Sequence, residues 1–204
     1  MLTEASYGSL ARFVDQQRLI PVGKETVVGV GGDISDLQYL EKYLEDLEID
    51  ENYDNDGQSL TARHVFSYLS KTFYNRRSKM DPLWNAVLVA GHDNGEPFLS
   101  YVDLLGVTYS APTLATGFGA YLAIPLLRKL VDKDGDEKNI TEEQARKVVD
   151  ECMKVLFYRD ARSIDKYSVA TITKEGVRIE KDVRCEDMSW RFAEHIRGYG
   201  TQKE

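Results

Sequence analysis

Apolar residues in this chain fall into blocks of two different periods, and the blocks alternate. Residues 25–32, ETVVGVGG, are rich in β-branched side chains and close on glycines, the composition of a buried strand ending in a tight turn at Gly29-Val30-Gly31-Gly32. Directly afterwards Leu37, Leu40, Leu44 and Leu47 recur at three- and four-residue spacing, with Glu41, Lys42, Glu45 and Asp46 on the other side. That pattern predicts an amphipathic helix with Ser35 as its N-cap. Residues 52–59 read as a polar loop. A second helix is predicted from Thr61, carrying Val65, Phe66, Leu69 and Phe73 inward and ending in Arg76-Arg77-Ser78-Lys79 ahead of Pro82.

The rest of the chain repeats the alternation. Residues 84–91 and 98–103 are strand-like runs around Asn94-Gly95, a strong hairpin signal, and should pair antiparallel. A third helix is predicted over 120–132, with Pro125 in its first turn or at a kink, closed by a loop over 132–139. Thr141 and Gln144 form a capping-box pair before Val148, Val149, Cys152, Val155 and Leu156, the apolar face of a fourth helix. Residues 167–173 and 177–183 flank a Lys174-Glu175-Gly176 turn as two more strands, and a short helix is predicted over 187–196. Paired strands and paired helices in alternation, with no repeated strand-helix-strand crossover, indicate an α+β fold. Two stacked sheets between helix layers, a four-layer αββα sandwich, bury such elements best.

Composition narrows the picture. With 204 residues, 42% of them apolar, the chain supports one domain, taken as residues 1–197, followed by a polar tail over 198–204. A net charge of -8 offers no basic field for phosphates, which argues against nucleic acid or an anionic membrane as partner. The longest apolar stretch, 114–130, is interrupted by Pro125, Arg128 and glycines and falls short of the about 20 apolar residues a membrane span needs. The start, Met-Leu-Thr-Glu-Ala-Ser, has neither the basic residues nor the apolar run of a secretory signal. Cys152 and Cys185 stand far apart, outside any C-x-x-C pair, as reduced thiols of the cytoplasm and nucleus do.

Five separated stretches then carry a family likeness: SYGSLARF (6–13), RRSKMDPLWN (76–85), LLGVTYSAPTLATGFGAYLA (104–123), VLFYRDARS (155–163) and GYGTQ (198–202). Together, and in this order over nearly the whole chain, they resemble the β-type subunits of the proteasome core particle, and within these the non-catalytic seventh type. The resemblance implies the N-terminal nucleophile hydrolase fold, in agreement with the element order. Active members attack the peptide carbonyl with an N-terminal threonine whose own α-amine serves as base. In this sequence the first threonine, Thr3, follows Met-Leu and stands before the third-strand region. Met1 resembles an internal methionine of relatives, so the opening β-hairpin, with its threonine and supporting aspartate, is expected to be missing from the domain.

Position by position, the resemblance implies a degenerate site. Arg18 falls where active members keep a lysine, offering a planar fork in place of a compact ammonium. Gly117-Phe118-Gly119 replaces a serine between glycines. Asp160 and Ser163 survive, but Ile164 and Asp165 follow where two glycines are usual, so both are read as structural residues of a buried turn. No catalytic residue and no cofactor is expected. The resemblance also implies partners: β-type and α-type neighbours in a hetero-oligomer, met in part by Arg76, Arg77 and Lys79, and the opposite β ring, reached by Gly198, Tyr199, Gly200, Thr201 and Gln202. As plain residues, the same cluster is a charged helix end and the same tail an ordinary polar terminus.

Other motifs have simpler readings. Asp132, Asp134, Asp136 and Glu143 fit four positions of a calcium loop, but Glu137 occupies the position that requires glycine, so a solvated acidic loop is expected. His64, His92 and His195 show no metal-ligand spacing. Three functions remain open: a structural subunit, an active threonine hydrolase whose opening segment precedes Met1, and a stand-alone binding module.

Overall fold

The computed structural model describes residues 5–7, 10–13, 15–54, 59–133, 135–194 and 196. β1 (Ala5–Tyr7) and β2 (Leu10–Phe13) pair antiparallel, with a bulge between Ala5 and Ser6. A five-stranded antiparallel sheet follows, with β3 (Leu19–Val22), β4 (Thr26–Gly32), β5 (Asn85–Asp93), β6 (Glu96–Asp103) and β7 (Thr108–Ser110) side by side in chain order. Helices α1 (Ile34–Asp54) and α2 (Ala62–Ser78) connect β4 to β5 and cover one face of this sheet.

Side-chain period explains that layer. Along β5, Asn85, Val87, Val89 and Gly91 are buried in strict alternation with half-buried Ala86, Leu88 and Ala90. The buried set meets Leu37, Leu40 and Leu44 of α1 and Val65, Leu69 and Phe73 of α2, whose three- and four-residue spacing lays one apolar side of each helix on the sheet. The packing leaves no slack at Gly91, where a Cβ would stand 2.4 Å from the Glu25 carbonyl oxygen and 2.9 Å from Ala62 Cβ. Asn94 and Gly95, both at positive φ, close the two-residue β5–β6 hairpin.

On the other side, β8 (Tyr167–Thr173) and β9 (Gly176–Val183) form a hairpin, and β8 lies against β4 and β5. α3 (Gly119–Leu122), α4 (Ile124–Leu130) and α5 (Glu142–Arg159) form the outer helix layer, and Met153, Leu156 and Tyr167 make a second core with Leu122, Val169 and Val183. The order is helices, sheet, sheet, helices: the four-layer α+β sandwich expected from the element order.

Several local expectations are corrected. Gly29 to Gly32 all belong to β4 and pair with β5, and the chain turns only at the strand's last residue, Gly32, at φ +105. The cap of α1 is Asp33, not Ser35: its carboxylate accepts from Asp36 N at 3.0 Å and from the Ser35 hydroxyl. These bonds, Ser35 first, hold the Asp33 carboxyl below the usual carboxylate range. α1 runs on through Asn52 to Asp54, into what was read as loop, and residues 55–58 lie outside the described part. The third helix is two short ones that part at Ala123, with Pro125 inside the first turn of α4, where its missing N–H costs least. Val149 of α5 faces solvent, and Met153 takes the buried place instead. Of the last predicted helix, over 187–196, the described residues show a 3₁₀ turn at Arg191–Ala193, and His195 lies outside them. Four strands escaped the sequence pattern: the short β1 and β2, β3, which carries Pro21 and tolerates it as an edge strand, and β7, whose three residues are all exposed.

Candidate functional site

The α5 exit carries Asp160 and Ser163, the two polar residues that the sequence singled out as a buried turn. Asp160 ends α5, its N–H donating to the Leu156 carbonyl at 2.8 Å, and its Oδ1 accepts from the Arg162 N–H at 3.0 Å. Ser163 Oγ donates back to the Asp160 carbonyl at 2.7 Å, with the Phe157 carbonyl also within reach at 3.1 Å. Both side chains are thus engaged within their own turn, satisfying backbone groups that the helix end leaves open.

Lys166, three residues beyond Ser163, ties this turn to the start of the sheet. Its ammonium lies 2.7 Å from Asp15 and 2.7 Å from Asp182, and the Asp15 bond leads the interactions that raise its pKa. Asp15 opens the segment that enters β3 through Arg18, whose carbonyl accepts the Val30 N–H at 2.9 Å. Arg18 is therefore anchored by backbone pairing beside a segment tied to the Asp160–Ser163 turn. Neither Asp15 nor Lys166 is evident from sequence, because 151 positions separate them.

Phe118 stands at another element, the start of α3. Its ring is 60% exposed, and no side chain caps that helix. The backbone here serves the helix alone, the Phe118 carbonyl accepting from Tyr121 N at 3.1 Å and Leu122 N at 3.0 Å. The position offers a phenyl surface and no hydroxyl.

The charged end of α2 divides into two parts. Arg76 is spent internally: Nε donates to the Asp81 carbonyl at 2.8 Å, a terminal nitrogen lies 3.3 Å from the Asp81 carboxylate, and the guanidinium rests over Tyr39 at 5.4 Å from the ring centre. It braces the α2–β5 connection. Arg77 lies over Tyr74 at 4.9 Å, and Lys79 is exposed at the helix cap. Gly198, Tyr199, Gly200, Thr201 and Gln202 lie outside the described residues.

The remaining candidates resolve locally. In the acidic loop, Asp136 accepts from Lys133 N at 3.0 Å and Glu137 from Gly135 N at 2.8 Å, so both carboxylates cap their own turn; Asp134 is outside the described residues. His64 completes the α2 capping box, and His92 Nδ1 lies 3.5 Å from Glu25; His195 is outside the described residues. Among the described residues no His, Cys, Asp and Glu side chains gather as metal ligands would, and no helix is long and apolar enough to cross a membrane. Cys152 and Cys185 are free thiols, both pushed up in pKa chiefly by burial, which makes them poor nucleophiles.

Comparison with known proteins places this sandwich. Residues 2–172 match the proteasome subunit family, and the chain belongs to that family. Membership makes it one component of a multi-subunit particle and accounts for the N-terminal nucleophile hydrolase fold. The sequence is 53% identical to proteasome subunit beta type-7 of Saccharomyces cerevisiae, over 97% of this chain and 77% of that relative. It is 54% identical to the probable proteasome subunit beta type-7 of Schizosaccharomyces pombe, over 97% of this chain and 76% of the relative. Proteasome subunit beta type-4 of Xenopus laevis is 47% identical, over 95% of this chain and 78% of its own length.

Proposed function

We propose that this chain is a non-catalytic, structural β subunit of the proteasome core particle, contributing walls and contacts to a chamber in which other subunits cut the substrate. Phe118 carries this reading: where an active member presents a hydroxyl, this chain presents a ring turned to solvent at the start of α3. Arg18 in place of a lysine supports it, since a guanidinium stays protonated and cannot be tuned as a compact amine can. Asp160 and Ser163 support it too, because their polar atoms already serve the turn they belong to.

In this reading the chain occupies one place in a β ring, between β neighbours and against an α ring. Residues 198–202 form an arm toward the opposite β ring that helps two half-particles join. The compartment is cytoplasm and nucleus, where Cys152 and Cys185 stay reduced.

The variant Phe118→Ser tests whether a hydroxyl at this place matters. Peptide hydrolysis by particles carrying it is expected to stay within about twofold of the unaltered particle, because a single group cannot restore a concerted site. The same preparation, by native mass analysis, should hold the chain in the particle and not as a free 23.2 kDa species. A new hydrolytic activity, or a stable free monomer, would count against the proposal.

A further inference from the structure

β7 is the outermost strand of its sheet, and Thr108, Tyr109 and Ser110 are all exposed. Among the described residues no strand pairs with its outer side. An open edge of this kind is a template for pairing that soluble proteins ordinarily cover or charge.

Beside the edge runs a groove between the C-terminal half of α2 and the β6–β7 turn, walled by Tyr74, Asn75, Gly106 and Thr108. Its shape depends on one glycine. Gly106 adopts φ +77, and a Cβ there would come within 3.0 Å of the Tyr74 side chain, so the turn can sit against that ring only without a side chain. Tyr74, in the groove, is about half exposed, and so is Tyr109, which packs on Tyr101 on the other face of the edge strand. Lys71 and Lys79 line the groove as well, and neither has a carboxylate partner among the described residues. In a chain with 34 acidic and 26 basic residues, two ammonium groups beside the Tyr74 ring, without a carboxylate partner among the described residues, favour a partner segment of negative charge.

We propose that this groove and the open edge of β7 receive an extended acidic segment of a neighbouring proteasome subunit, a contact that rests on the structural role proposed above. The segment adds its backbone to β7, and its alternating side chains meet Tyr74 on the α2 side and Tyr109 on the other, with carboxylates set against Lys71 and Lys79. The stretch LLGVTYS, distinctive in the sequence and without a part in the turn at Asp160, gains a role as the glycine-hinged wall of this site.

Zero-length carbodiimide cross-linking of the intact core particle tests the contact, since it joins a lysine amine only to a carboxylate touching it. The expected product is an amide from Lys71 or Lys79 to an Asp or Glu of a different subunit. The double variant Lys71→Glu, Lys79→Glu, both exposed and unpaired so that folding is spared, should enter the particle about tenfold less well than the unaltered chain in direct competition. Links only within this chain, links to a second copy of it, or undiminished incorporation of the double variant would overturn the proposal. Absence of the chain from every particle would instead remove the structural role on which the contact rests, and the contact with it.

Discussion

Gly32→Ala should be among the most damaging single substitutions in this protein, lowering stability by about 4 kcal/mol. Gly32 is the last residue of β4 and turns the chain into α1 at φ +105, a conformation that L side chains rarely adopt. A Cβ there would also stand 2.2 Å from the Trp84 carbonyl oxygen and 3.0 Å from Asn85 Cα, both backbone atoms of the neighbouring strand entry. That strand entry cannot easily yield. Asp33 N donates to the Trp84 carbonyl at 2.9 Å, Trp84 N donates to the Asp36 carboxylate at 3.0 Å, and the Asn85 amide bonds the carbonyls of Gly31 and Asp33 at 3.2 and 3.0 Å. Relief of the clash has to break some of these bonds. Urea unfolding that shows a loss below about 1 kcal/mol would mean the β4–α1 joint is far softer than this geometry describes.

Phe73→Ala should cost about 3–5 kcal/mol. Phe73 is fully buried in the main core, on the same side of α2 as Val65 and Leu69 and facing the sheet. Removing its ring deletes contacts shared by both helices and the sheet, and the backbone around it is pinned by strand pairing, so collapse to fill the void is limited. Because α2 also supplies Tyr74 and Lys79 to the groove beside β7, the variant should additionally reduce incorporation into the particle, in proportion to lost stability. Thermal unfolding of the purified variant checks the first effect. An unchanged midpoint would show that α2 is held by something other than this core.

How far the sequence disclosed the fold depended on whether burial imposed a period. α1, α2 and α5 were legible because Leu37, Leu40 and Leu44, then Val65, Leu69 and Phe73, then Cys152 and Leu156 must all face a core. The β5–β6 hairpin was legible because only residues tolerant of positive φ suit Asn94 and Gly95. Where no face is buried, no period survives: β7 lies wholly in solvent, and Pro21 masked β3. The stretch 187–196, predicted as a helix, carries Trp190 and Phe192, which serve a different purpose. They pack against Tyr158 of α5, with ring centres 5.1 and 5.2 Å away, and need only a 3₁₀ turn to do so.

The candidate site was legible in part, and through resemblance more than through physics. Asp160 and Ser163 could be singled out because they lie in one recognisable stretch, and the structure adds that their polar atoms are engaged in one turn. The Lys166 bridge to Asp15 and Asp182 left no local trace, since ion pairs between distant segments impose no pattern on either. Arg76 shows the opposite case: it reads as a surface charge, yet its guanidinium is folded back onto Asp81 and Tyr39, which leaves Arg77, Lys79 and Lys71 as exposed cations of this half of α2.

The role proposed for this chain assigns it no peptide-bond chemistry of its own, and covalent trapping tests that directly. Intact core particles containing the chain would be treated with a peptide epoxyketone, an electrophile that captures an N-terminal threonine through both its hydroxyl and its amine, and each subunit would be weighed. The account predicts added mass on catalytic sister subunits and none on this one. An adduct on this subunit, mapped to a threonine, would contradict it.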